Sequence, residues 1–121
     1  MGSFVFDTYA LLEIIAGNPN YEKYLNSEII INNFIFAELC YKLIRENGLE
    51  KANFYVEKYK HFVIEVDADT IKNAMLFRAN NKKKNLSGTD CIGYALALKL
   101  KIKFLTGDKE FEKLENVEFV R

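Results

Sequence analysis

Proline occurs once in this chain of 121 residues, histidine once and cysteine twice. The single proline lies in a Gly17-Asn18-Pro19-Asn20 turn, so no proline-rich linker divides the chain, and neither an internal repeat nor a shift in composition marks a boundary. Cys40 and Cys91 both fall in apolar helical runs, where the expectation is buried free thiols in a reducing cytosol. Long apolar runs are also missing. Cys91 to Leu98 is the longest, far short of the roughly 18–20 residues of a membrane helix, so no membrane partner is expected. Met1-Gly2-Ser3-Phe4 lacks the basic start of a secretory signal, and Phe6 stands where a myristoylation site requires Ser or Thr. Nor does one sign of charge prevail. Seventeen basic residues balance seventeen acidic ones, so any polyanion has to be handled locally. What remains, 50% hydrophobic and 28% charged, excludes a disordered chain. It suits one domain over residues 1–121 that buries roughly two-thirds of its unfolded surface.

Strand and helix signals alternate from end to end. Ser3 to Phe6 is β-prone and stops at Asp7; Thr8 to Ala16 reads as a helix with Gly17 at its C-cap. A short helix is expected over Tyr21–Asn26, then a strand over Glu28–Ile31. Asn32 or Asn33 can cap a helix over Phe34–Glu46, closed by Asn47-Gly48, and a further helix runs from Leu49 to His61. Phe62–Val66 reads as a third strand, and Asp67 or Asp69 caps the helix through Ile71, Met75 and Phe77. After a polar loop over Asn80–Asn85, Ser87 or Thr89 opens a helix to about Lys101. Ile102–Thr106 is a fourth strand, followed by a helical turn near Phe111 and Leu114 and a last strand over Val117–Val120. The fold class is α/β: a three-layer α/β/α sandwich around a central, mainly parallel sheet of four to five strands.

In an open parallel sheet the functional crevice lies beyond the carboxyl ends of the strands. Asp7 and Asp108 follow two such ends. Asp90 falls in the first turn of a helix, and Glu38 lies one turn into the helix after the second strand. Each has a plain structural reading. Asp7 with Thr8 can cap a helix, Glu38 can pair with Lys42 at i+4, Asp90 can face a helix dipole, and Asp108 can serve a turn. Their shared position at one end of successive elements argues for a joint role. Carboxylates brought together take up protons or hold a cation, and oxygen donors without Cys or His point to Mg²⁺ or Mn²⁺. His61, beside a strand on the far side of a helix, is poorly placed to ligate.

With Phe4-Val5-Phe6-Asp7-Thr8, Phe36-Ala37-Glu38-Leu39, Leu86-Ser87-Gly88-Thr89-Asp90 and Phe104-Leu105-Thr106-Gly107-Asp108-Lys109-Glu110-Phe111, the sequence resembles the PIN-domain family. Within that family it resembles the small VapC-type toxins, in order, spacing and length over essentially the whole chain. The resemblance implies a ribonuclease that uses Mg²⁺ or Mn²⁺, with Asp7, Glu38, Asp90 and Asp108 as the acidic quartet. It sets Thr106 to orient a carboxylate or water, and Glu110 at a position often acidic in the family. It also implies a homodimer, a cognate antitoxin and a cytoplasmic setting. Gly88 and Gly93 fall at positions that neither support nor oppose it.

RNA contact needs local cations, and Arg78 with Lys82, Lys83 and Lys84, then Lys42, Arg45 and Lys109, are the candidates. The plainer reading is solvated helix and loop faces. Tyr9, Tyr41 and Tyr94 offer rings for base stacking, against the alternative of core or dimer packing. Other α/β folds with a strand-end aspartate fit less well. An aspartyl-nucleophile phosphatase wants a second Asp where Tyr9 stands, and a phospho-acceptor receiver wants an early acidic pair, whereas Phe6 precedes Asp7. A PIN-like RNA- or protein-binding module without catalysis is the remaining alternative, and the intact quartet speaks against it.

Overall fold

The structure, a computed structural model, describes residues 2–121. Strands β1 (Ser3–Phe6), β2 (Glu28–Asn32), β3 (Val63–Ile64), β4 (Lys103–Thr106) and β5 (Val117–Phe119) form one sheet in the order β3-β2-β1-β4-β5. Every pairing is parallel. Helices α1 (Thr8–Ala16), α2 (Asn33–Tyr59), α3 (Ala68–Asn80) and α4 (Gly88–Leu100) connect the strands. The chain builds outward from β1 in one direction through β2 and β3, and β4 and β5 extend the other side. The reversal of order at β1 leaves a crevice above the carboxyl ends of β1 and β4.

The helices start where the sequence supplies an acceptor. Asp7 caps α1, Asn32 caps α2 through the N–H groups of Phe34 and Ile35, Asp67 caps α3 and Ser87 caps α4. The two helices expected on either side of Asn47-Gly48 run on from each other as α2. Gly48, at φ 82° and ψ 163°, is the one non-helical residue within it, a conformation nearly reserved for glycine. Val5, Phe6, Ile31, Phe104 and Leu105 from the sheet and Ile35, Leu39 and Leu43 from α2 are wholly or almost wholly buried. Helix α4 lies so close that a Cβ on Gly93 would stand 2.8 Å from Phe104 Cε1 and 3.1 Å from Ile35 Cδ1. Gly93, neutral in the sequence, is thus a packing requirement.

Three expectations need correction. The third strand is two residues long instead of spanning Phe62–Val66, because its partner β2 ends at Asn32, where the chain turns into α2, and Glu65 and Val66 have no strand beside them. The short helix after the proline turn is a 3₁₀ segment, Pro19–Tyr24, with Pro19 at its first turn and Asn18 as cap. Cys91 is buried as expected, but Cys40 is only partly so; both are free thiols.

Candidate active site

Register on the central strands sets the floor of the crevice. Phe6 pairs with Leu105, so Asp7 emerges level with Thr106, and its N–H donates to the Leu105 carbonyl at 3.1 Å. The Asp7 carboxylate is buried. Oδ1 accepts the Ala10 N–H at 2.8 Å, and Oδ2 accepts the Thr106 hydroxyl. That hydroxyl in turn accepts the Asp108 N–H at 3.0 Å, which fixes the direction of its own proton toward Asp7. Asp108 Oδ1 accepts from Glu110 N–H at 3.0 Å and so starts a 3₁₀ turn, Lys109–Phe111. Both plain readings of these two aspartates are correct as far as they go, since each caps a helical turn while facing the crevice.

Asp7, Glu38, Asp90 and Asp108 line one open cavity of about 420 Å³ together with Tyr9, Lys42, Gly107, Lys109 and Arg121. Burial, then the nearby Asp90, pushes the Asp7 carboxyl up to about 8, with Thr106 and Ala10 opposing the rise. Burial also lifts Asp90 to about 6; the Ser87 hydroxyl opposes the shift and the charges of Glu38 and Asp108 add to it. The cavity's four carboxyl groups share it with three cations, Lys42, Lys109 and Arg121, so a negative excess develops only as Asp7 and Asp90 give up their protons. Its donors are all oxygen, which fits a hard divalent cation. As the side chains stand, no group of three or more His, Cys, Asp or Glu among the described residues is gathered tightly enough to hold one. Asp7 is buried and fixed by its hydrogen bonds, whereas Glu38, Asp90 and Asp108 are only partly buried.

The remaining candidates divide. Lys42 approaches Glu38 at 3.9 Å on the cavity wall, and Lys109 lines the same cavity. Arg78, Lys82 and Lys84 line a separate cavity of about 430 Å³ between α3 and the start of α4, with the Arg78 guanidinium beside Gly88; Lys83 is exposed outside both linings. Arg45 pairs with Glu46 at 3.1 Å and lies over the exposed Tyr41, and it is not part of the acidic cavity's lining. Glu110 accepts the Asn85 N–H at 2.7 Å and so ties the basic loop to the strand end carrying Asp108. Tyr94 packs in the core against Phe104 and Phe111, and Tyr9 alone of the three tyrosines reaches the cavity. Arg121 went unnoticed in the sequence. Its place depends on pairing: β5 pairs with β4 through Thr106 and Phe119, and Asp108 and Arg121 each lie two residues beyond that pair.

The PIN domain family model matches residues 4–117. No curated protein matches the chain by sequence. Among solved structures, VapC20 from Mycobacterium tuberculosis, a toxin that cleaves the sarcin-ricin loop, superposes with a TM-score of 0.78 at 18% identity over 100% of both chains. VapBC2 from Rickettsia felis, bound to a DNA fragment from its promoter, gives 0.75 at 17% identity, again over 100% of both chains. VapBC-1 from nontypeable Haemophilus influenzae gives 0.72 at 17% identity, covering 98% of this chain and 96% of that one. At such identities the likeness is one of fold.

Proposed function

The chain belongs to the PIN-domain family, and from that premise we propose that it is a divalent-metal-dependent endoribonuclease, a toxin of the VapC type. One observation carries the reading: carboxylates from four distant stretches, Asp7, Glu38, Asp90 and Asp108, line a single cavity at the carboxyl rim of the sheet. A bound Mg²⁺ or Mn²⁺ would supply charge neutralisation at the scissile phosphate and a more acidic water for in-line attack. Asp7, Asp90, Asp108 and Glu38 would hold it. Thr106 keeps the Asp7 carboxylate turned toward the cavity by donating to Oδ2, and its bond from the Asp108 N–H keeps the second strand end in step. Lys42 and Lys109 face the incoming backbone phosphates from the cavity wall. The Arg78, Lys82 and Lys84 groove, with Lys83 exposed beside it, extends that contact along the RNA, and Arg45, one turn beyond Lys42 on α2, adds a further contact on that side.

Partners follow from the same premise. A cognate antitoxin is supported by structural neighbours that are toxin–antitoxin complexes. A homodimer is supported by the apolar Met75, Leu76, Leu98 and Leu100, which stand exposed on α3 and α4. A cytoplasmic setting is part of the proposal, and among the described residues no helix is long and apolar enough to cross a membrane. A binding module without catalysis would draw on the loose spacing of the acids. Incubating the purified chain with single-stranded RNA and Mn²⁺ decides between them. Cleavage that disappears in Asp7→Asn supports the nuclease, and RNA binding without cleavage supports the module.

A further inference from the structure

Arg121 enters the acidic cavity from just beyond β5, and its backbone is held there from outside the sheet. Asn20 Nδ2 donates to the Arg121 backbone oxygen at 2.8 Å, and the Tyr21 hydroxyl donates to the Val120 carbonyl at 2.6 Å. The guanidinium lies over the Tyr9 ring, 5.9 Å from its centroid. The ring in turn rests on Gly107, where a Cβ would come within 2.1 Å of Tyr9 Cε1 and 2.6 Å of the Val120 carbonyl oxygen. Any side chain at residue 107 would lift the ring away from the strand end. Among the described residues Arg121 has no carboxylate within ion-pair distance, although it lines a cavity with four, while Lys42 is drawn to Glu38. A planar cation within cation–π range of an aromatic face, with its donor fork unspent, is suited to a phosphate diester.

We infer that Arg121, seated on Tyr9, is a phosphate-binding residue of this cavity that takes a backbone phosphate of single-stranded RNA adjacent to the bond to be cleaved. This rests on the nuclease reading above. The acids repel a polyanion from the rim, and Arg121 offsets that repulsion at the level of Asp108, on the opposite side of the crevice from the α2 lysine. Fixing one phosphate there sets how far the neighbouring one reaches toward Asp7. Arg121 is thus a binding and positioning residue.

The test uses the full chain, with Asp7→Asn to block cleavage, and a fluorescein-labelled single-stranded oligoribonucleotide of mixed sequence titrated at several salt concentrations. Adding Arg121→Gln should weaken binding about fivefold. It should also make the slope of log K against log salt shallower by about 0.7, the share of one phosphate contact. Arg121→Lys should keep the slope, since the charge stays, and lose part of the affinity, since an ammonium neither forks nor stacks. Tyr9→Leu, which removes the platform, should weaken binding in the same direction. In the chain that retains Asp7, Arg121→Gln should raise KM for this RNA more than it lowers kcat. Unchanged affinity and slope in Arg121→Gln would overturn the inference, as would a lower melting temperature with an unaltered slope, which would make Arg121 a counter-ion to the acids. Failure of the nuclease reading looks different: the unmodified chain binds the RNA but leaves it intact in Mn²⁺, while the slope still reports on Arg121.

Discussion

Replacing Asp7 by Asn removes the charge at the rim: the amide oxygen can still accept the Ala10 N–H, while the amide nitrogen loses the bond from the Thr106 hydroxyl. The buried Asp7 carboxyl titrates at about 8 in the folded chain against an ordinary 3.8. Between those values the folded state keeps a proton that the unfolded state has released. The stability this contributes is full below about pH 4 and is lost as pH rises through about 8. Without metal, Asp7→Asn should therefore melt progressively higher than the parent as pH is raised from 4 to 8, while cleavage in Mn²⁺ falls on the order of 100-fold or more. Parallel melting curves across that range would contradict the assignment of the buried charge. Thr106→Val removes the hydroxyl that Asp7 accepts from and Asp108 donates to, at a cost of about 1–3 kcal/mol. Thr106→Ser should restore most of it in thermal melts, since the hydroxyl and not the methyl makes both bonds.

Helix α4 carries Asp90, and two features of its setting can be weakened separately. Gly93→Ala sets a methyl against Phe104 and Ile35, and forcing the helix off the sheet should cost about 1–3 kcal/mol. Ser87→Ala removes the cap on the Asp90 N–H, at about 1 kcal/mol, or roughly 3–5 °C in melting temperature. Gly93→Ala should also lower cleavage, because it displaces Asp90, and a stability loss without an activity loss would place Asp90 outside the reaction. The elements themselves were largely legible in the sequence, because strand ends, caps and glycine stops are local signals. Asp7 announces the helix it caps, the pairs Asp67 or Asp69 and Ser87 or Thr89 resolve to Asp67 and Ser87, and Gly48 breaks α2 at a φ of 82° that favours glycine. Non-local facts were not legible. The length of β3 is set by where β2 stops, Gly93 matters only once Phe104 is beneath it, and Arg121 reaches the acids only through the register of β5 on β4. The joint cavity of Asp7, Glu38, Asp90 and Asp108 follows from strand order, which local signals leave open and the sheet itself supplies.

At the scale of the molecule, a net charge of zero conceals a division: an acidic cavity above β1 and β4, and a basic groove of Arg78, Lys82 and Lys84 beside it. The Glu110 contact to Asn85 joins the two, so the basic loop is tethered to the same strand end as Asp108. Such a surface should bind RNA weakly at the acids and firmly beside them until a cation reverses the sign of the cavity. Mn²⁺ that binds only the folded chain stabilises it by mass action, about 2.7 kcal/mol at a hundredfold excess over Kd. Binding also requires Asp7 and Asp90 to give up protons they hold at about 8 and 6, so the stabilisation should grow as pH is raised from 6 to 8. Melts with Mn²⁺, then with excess chelator, at both pH values measure this without any RNA present. A melting temperature indifferent to Mn²⁺ at pH 8 would leave the four carboxylates with no cation to share. It would also remove the metal-dependent step on which the nuclease proposal stands.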